Sequence, residues 1–438
     1  MSATDGRRHV VIVGGGFAGL GCAQRLAKHD HVRVTLLDRN NYHQFQPMLY
    51  QVATSQLAAS DIATSLREVF ADQKNIDIKL ATISEIDLEA RTVTSSDGQQ
   101  WSGDKLVIAA GSQPNFFGTP GASENSFPLY SLDDATRLRS RILALFEQAD
   151  SDPRLLERGA MNFVIVGGGP TGVEMAGALG DMIKVTLPAE YPDLDSTAAK
   201  VHLLDFGDVL LKPFSDKAHG YAAKVLHEKG VDVHLGTGVK EVGTGHALLS
   251  DGTTVATRCV VWGGGLKGAA IASAGGLTPG RGGRFDVEPD LTLAGHRDVY
   301  VVGDIANIPG EGDASLPQLG SVALQSGTWA AENILAEFDG KPPTPFAYKD
   351  KGIMAMIGRG SAIAEVGKNH HEIHGQLAHM AWIGVHATLM TGVRSKLEAF
   401  IDWGWDRFSN TGGPHVLDRG DEAQIDWDDD RVVTGSAP

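Results

Sequence analysis

HVVIVGGGFAGL at residues 9–20 and FVIVGGGPTGV at residues 163–173 share one pattern: an apolar β-branched run, a burst of glycines, then a helical stretch. Such an order reads as a buried parallel strand, a tight turn and a helix. Each copy leads into a second apolar run ending in an acid, RVTLLD at Asp38 and KVHLLD at Asp205. The two copies lie about 150 residues apart, which implies duplicated domains. A solenoid would repeat every 20–50 residues or so.

At about 150 residues per domain, 438 residues give room for three units that bury their own cores. Two cysteines, Cys22 and Cys259, exclude a disulfide scaffold and a Cys-rich zinc module, and no metal site is expected. A net charge of −16 argues against a nucleic-acid partner. No apolar run is long enough to span a bilayer, and the glycine burst begins too early for a signal peptide, so a cytoplasmic protein is expected.

Strand-rich stretches follow each repeat, at residues 76–110 and 231–263, both with Asp-Gly turns. DVYVVGDIA (298–306) is one more buried strand, and residues 315–338 read as helix after Pro317. The expected architecture is α/β: two Rossmann-type dinucleotide-binding domains with a C-terminal helical and strand extension. The expected boundaries are 1–115 and 291–345 for the first domain and 116–290 for the second. A membrane- or dimer-associated region is expected over 346–417, and a solvated acidic tail over 418–438.

Gly14, Gly16 and Gly19 fit G-x-G-x-x-G: a tight turn, close approach to a pyrophosphate, and close helix–strand packing. The pyrophosphate would rest on the helix N-terminus, and Asp38 stands at the spacing of a ribose-binding acid. Gly167, Gly169 and Gly172 repeat the motif, with Asp205 displaced by an insertion near residues 185–198. The residues after Asp205, FGDV, carry no cation for a 2′-phosphate, so NADH is favoured over NADPH. Two dinucleotide sites in one chain imply flavin–nicotinamide electron transfer. Gly303-Asp304 and Ala109-Ala110-Gly111 resemble the elements that complete the flavin site in two-dinucleotide flavoproteins. FAD is therefore assigned to the first site and NADH to the second.

Over nearly its whole length the chain resembles type II NADH dehydrogenases, single-subunit NADH:quinone oxidoreductases. DRNNYHQFQPMLYQVATSQL (38–57), with Arg39, is similar to the family's stretch beneath the flavin, and VGGGPTGVEMAGAL, with Glu174, to its NADH loop. The glycine-rich VWGGGLKG contains Gly264. The resemblance implies non-covalent FAD, NADH on one flavin face, and a quinone (menaquinone or ubiquinone) on the other. It implies Glu174 and Gln325 as catalytic residues, both also cofactor contacts. It also implies peripheral contact with the inner face of the cell membrane; a homodimer is a further expectation. The family's glutamine pair on the quinone-side helix is reduced here to Ser321 and Gln325. An alternative is a soluble FAD/NAD(P)H-dependent enzyme acting on a quinone-like metabolite or other acceptor; a redox-sensing flavoprotein is a third reading. His43 reads as packing or as a proton donor. The cysteines read as core, without the pairing of a disulfide reductase. In the C-terminal region Trp382, Phe400, Trp403, Trp405 and Phe408 accompany three acids and three bases, so anionic lipid would gain little from it. A helix covering the core or a dimer face is the alternative to a membrane face.

Overall fold

The computed structural model describes residues 6–428 apart from 274–278, 311, 313–314, 368–369, 409–414, 419 and 423; the side chains of 272–273, 393–394 and 405–408 also lie outside the description. The first glycine burst joins β1 (Arg8–Val13) to α1 (Phe17–Leu26), followed by β2 (Val32–Asp38) and β3 (Ile76–Leu80). After β4 (Lys105–Ile108), α2 (Leu132–Ser151) starts from a capping box formed by Ser131 and Asp134. The second burst joins β5 (Asn162–Val166) to α3 (Pro170–Asp181), with Pro170 at the first helical position. Next come β6 (Lys200–Leu204), β7 (Val231–His234), β8 (Cys259–Trp262), β9 (His296–Val301) and α4 (Gly320–Phe338). The last elements are β10 (Gly352–Met356), β11 (Ala362–Val366), β12 (His371–Gly375), α5 (Gln376–Leu389) and α6 (Val393–Phe408).

The chain forms two compact units. The first comprises Met1–Gln44, Thr64–Gln113 and Leu266–Lys349; its sheet runs β9-β4-β1-β2-β3, all parallel, with Thr292–Leu293 on the edge. Val10, Val11 and Ile12 of the central strand are fully buried, each worth about 1.5–3 kcal/mol of apolar burial. Helices α1 and α4 touch backbone to backbone: a Cβ on Gly327 would lie 1.9 Å from the Ala18 carbonyl oxygen. That contact sets α4 beside the first glycine burst.

The second unit comprises Phe45–Ala63, Pro114–Gly265 and Asp350–Pro438. Its parallel sheet runs β8-β5-β6-β7 with Phe127–Pro128 on the edge, the same arrangement as the core of the first unit. β10, β11 and β12 form a separate antiparallel sheet. The units divide the chain differently from the expected boundaries. Residues 266–290 lie in the first unit, where Phe285 pairs with Ala306. Residues 45–63 lie in the second, where the Tyr50 and Trp382 rings meet edge-on at 6.5 Å.

The acidic tail corrects the expectation of a solvated segment. The Glu422 carboxylate is buried and accepts from Arg137 (2.6 Å) and Arg141 (3.4 Å) of α2. Asp418 pairs with Arg139 at 2.7 Å, and Trp427 Nε1 donates to Gln148 at 2.7 Å beneath the Arg258 guanidinium. Composition alone reads as disorder, but here the acids meet an arginine row and the tryptophan supplies an apolar anchor. Residues 429–438 lie outside the description.

Candidate active site: two nucleotide cradles and an aromatic cavity

In the first unit, Gly14 takes φ +105°, and a Cβ there would lie 2.2 Å from the Ala109 carbonyl oxygen. A Cβ on Gly19 would lie 1.7 Å from the Gly14 oxygen, whereas one on Gly16 would meet nothing within 4 Å. The first two glycines are thus demanded by packing, and the third borders open space at the N-terminus of α1. Asp38 accepts from the amides of Gly15 (2.5 Å) and Asn40 (2.6 Å), with Arg39 exposed beside it. Burial raises its carboxyl above the usual range, opposed by those amides and by Arg39. Ala110 and Gly111 follow β4, and Asp304 follows β9. Burial raises the Asp304 carboxyl too, while the Ser112 hydroxyl, donating at 3.0 Å, and Arg284 act against it. The glycine burst, Asp38, Ala110-Gly111 and Asp304 all stand at carboxyl ends of the parallel strands, where open α/β sheets bind ligands. His43 is buried against this burst; its Nδ1 lies 3.0 Å from the Gly15 oxygen, while Nε2 has no partner.

The second unit repeats the geometry. Gly167 takes φ +111° against the Gly263 oxygen (2.5 Å from a Cβ), and Gly172 packs on the Gly167 oxygen (1.8 Å). Gly169 borders open space. Asp205 accepts from Gly168 (2.5 Å) and Gly207 (2.6 Å), as Asp38 does from Gly15 and Asn40. Gly264, after β8, occupies the place that Ala110 has after β4. Both cradles fit a dinucleotide: open space over a helix N-terminus, and an acid pre-set by main-chain amides.

Glu174 lies on α3 but points into the unit's interior, where it accepts from the Met356 amide at 3.1 Å. Burial pushes its carboxyl up from an ordinary 4.5 to about 8. Asp181, two turns on, accepts from the Arg359 amide at 2.6 Å and pairs with Lys229. Together they hold the turn after β10, which borders a small solvent-open cavity lined by Tyr50, Gln51, Arg359, His379, Trp382 and Trp403 among others. Trp403 Nε1 donates to Gln51 Oε1 at 3.1 Å, and Trp382 stacks on His386 at 3.9 Å. Sequence reasoning set Trp382 and Trp403 in a membrane or dimer region; Trp382 is fully buried. The legible signal was a tryptophan on the buried side of the helical period in α5.

Because the Glu174 carboxyl is neutral in the fold near neutral pH but ionises near 4.5 when unfolded, the stability it contributes is whole below about pH 4.5 and lost as pH rises through about 8. Glu174→Gln keeps an acceptor for Met356 and has no charge to bury. Its melting temperature should therefore exceed the parent's above about pH 8, by several degrees, and converge with it in acid. Parallel melting curves across that range would show that Glu174 is not the buried acid described.

Gln325 sits on α4 in the first unit with both ends of its amide engaged: Nε2 donates to the Lys349 oxygen (3.1 Å) and Oε1 accepts from the Lys349 amide (3.0 Å). Ser321, one turn earlier, lies 2.9 Å from the Tyr348 hydroxyl. Both side chains fasten the segment leaving α4. Cys22 and Cys259 are buried and free; burial pushes the Cys259 thiol up to about 12 and that of Cys22 higher still, so neither is a nucleophile at neutral pH.

A family model described as pyridine nucleotide-disulphide oxidoreductase matches residues 8–327. The type II NADH:quinone oxidoreductase Ndh of Mycobacterium tuberculosis is 37% identical over 421 residues, spanning 92% of this chain and 89% of that protein. The chain belongs to the type II NADH:quinone oxidoreductase family. A second member, from Haemophilus influenzae, is 27% identical over 86% of this chain and 92% of its own length. Among solved structures, NDH2 from Plasmodium falciparum in complex with NADH shares the fold, with a TM-score of 0.84 at 18% identity over 94% of this chain and 100% of that one. This chain carries paired glycine bursts, and its two cysteines, both buried and free, form no redox-active pair.

Proposed function

We propose that the chain is an FAD-dependent NADH:quinone oxidoreductase. The observation that carries this reading is the duplicated cradle: two glycine bursts at strand ends, each with an acid whose carboxylate is held by two main-chain amides. Gly14, Gly16, Gly19, Asp38, Arg39, Ala110, Gly111 and Asp304 hold FAD. Gly167, Gly169, Gly172, Asp205 and Gly264 hold NADH, with Asp205 accepting from the ribose hydroxyls. When bound, FAD supplies the two-electron chemistry that links NADH to the quinone. The aromatic cavity of the second unit, with Arg359 and His379 on its wall, offers flat apolar surface and donors suited to a quinone ring.

Exposed Leu377, Met380 and Leu389 on α5, with Leu397, Phe400 and Ile401 on α6, form the surface we assign to peripheral membrane contact. The side chains of Trp405 and Phe408 lie outside the description. No helix among the described residues is long and apolar enough to cross a membrane. Sedimentation with phospholipid vesicles should carry the protein down; a concentration-dependent dimer that ignores vesicles would assign the face to a second copy.

Ser321 bonded to Tyr348, and Gln325 to Lys349, favour a second reading in which the acceptor is a different quinone-like molecule. Purified protein should be yellow and release FAD, not FMN, on denaturation. NADH added without oxygen should bleach the flavin band, and a panel of lipophilic and soluble quinones should restore it at rates that rank the acceptors. No bleaching by NADH would defeat the assignment; restoration only by non-quinone acceptors would select the second reading.

A further inference from the structure

Phe206 is 83% exposed, more than any other large apolar side chain among the described residues. A lone exposed phenylalanine is ordinary, but this one follows Asp205 directly at the carboxyl end of β6. Its ring lies over Gly238, where a Cβ would come within 3.3 Å of it. Leu235, 39% exposed, leaves the end of the neighbouring strand β7. The two strand ends are laced together: the Gly236 amide donates to the Gly207 oxygen at 2.8 Å, and the Thr237 amide to the Asp205 oxygen at 2.9 Å. Two exposed apolar side chains thus leave adjacent strand ends beside an acid, on main chain that is hydrogen-bonded across the two ends.

The order of strands decides what could lie there. β6 and β8 flank β5 on opposite sides, so Asp205 and Gly264 stand on opposite sides of the second glycine burst. A dinucleotide with its pyrophosphate on the burst and one ribose on Asp205 puts the base of that ribose just beyond the carboxylate. An adenine is flat, aromatic and poorly hydrated on its faces, and it gains most from stacking on an exposed ring. The nicotinamide end must extend the other way, toward Gly264.

We infer that Phe206, with Leu235 beside it, is the platform on which the adenine of NADH stacks, and that it sets affinity for the adenosine half of the substrate. This rests on the assignment of NADH to the second cradle. Asp205 orients the ribose; Phe206 holds the base through its face, and so accepts the adenosine without hydrogen-bonding to it. The reacting ring at the far end makes no demand on Phe206, so the residue acts on binding and not on the hydride step.

The test compares two reductants, NADH and reduced nicotinamide mononucleotide, which lacks the adenosine. In Phe206→Ala, kcat/KM for NADH should fall relative to that for the mononucleotide by about 5- to 150-fold, the range of losing one base–aromatic stack. The loss should appear in KM, and the inhibition constant of ADP-ribose should rise by a similar factor. Phe206→Trp should restore both. Equal losses with the two reductants, or an unmoved ADP-ribose constant, overturn the proposal. Asp205→Ala separates that failure from a deeper one. If it weakens ADP-ribose while Phe206→Ala does not, the cradle stands and only the platform is wrong; if neither variant weakens it, the nucleotide lies elsewhere and both readings fall.

Discussion

Gly19→Ala is expected to yield a folded protein without flavin, and Gly172→Ala a yellow protein that NADH scarcely reduces. The two positions present the same obstacle. A methyl on Gly19 would lie 1.7 Å from the Gly14 carbonyl oxygen, and one on Gly172 would lie 1.8 Å from that of Gly167. Neither oxygen belongs to a side chain that can swing away. Each is part of the glycine turn that the proposed assignment places against a pyrophosphate, so relief requires the turn itself to move. Forcing a methylene into a packed site costs about 1–3 kcal/mol in stability. The displaced amides should weaken nucleotide binding by roughly 100-fold or more, since several anion contacts are lost at once. Circular dichroism shows whether each variant is folded; the flavin band and its bleaching by anaerobic NADH show which cradle has failed. A Gly172→Ala protein reduced by NADH as readily as the parent would show that the second burst is only a turn.

Glu422→Ala should lower the melting temperature of the second unit by roughly 5–10 °C, an effect far larger than a surface acid usually has. Glu422 is buried, and its carboxylate joins Arg137 and Arg141, whose side chains are 43% and 17% exposed. Removing it leaves the more enclosed Arg141 charge without this partner, a loss of about 2–4 kcal/mol once the exposed share of the pair is discounted. Truncation before Asp418 should cost more, since it also removes the Arg139 pair and the Trp427 anchor. Salt should weaken the strap only in part, because the tryptophan contacts do not depend on charge. Differential scanning calorimetry reads the outcome. An unchanged transition in both variants would mean that the tail does not dock in solution.

The cradles were legible in the chain because their demands are local. A positive φ at Gly14 and Gly167, a closed contact at Gly19 and Gly172, and an acid at the end of the next strand are written within one strand–helix–strand stretch. Backbone geometry leaves few residue types able to meet them, so the pattern survives as spacing. Composition likewise excluded disulfide chemistry, and both cysteines are buried and free. The rest depends on partners far away in sequence. Trp403 meets Gln51 across 352 residues, Arg137 meets Glu422 across 285, and Glu174 meets the Met356 amide across 182. No periodicity announces such pairs, because each side chain has several solvent-facing or buried fates until the fold presents its partner. So the acidic tail read as solvated, and the sequence offered no partner for Gln325, Trp382 or Trp403. Packing supplied the partners: a buried carboxylate to the arginines, a main-chain amide and carbonyl to the glutamine, and Gln51 and His386 to the two indole rings.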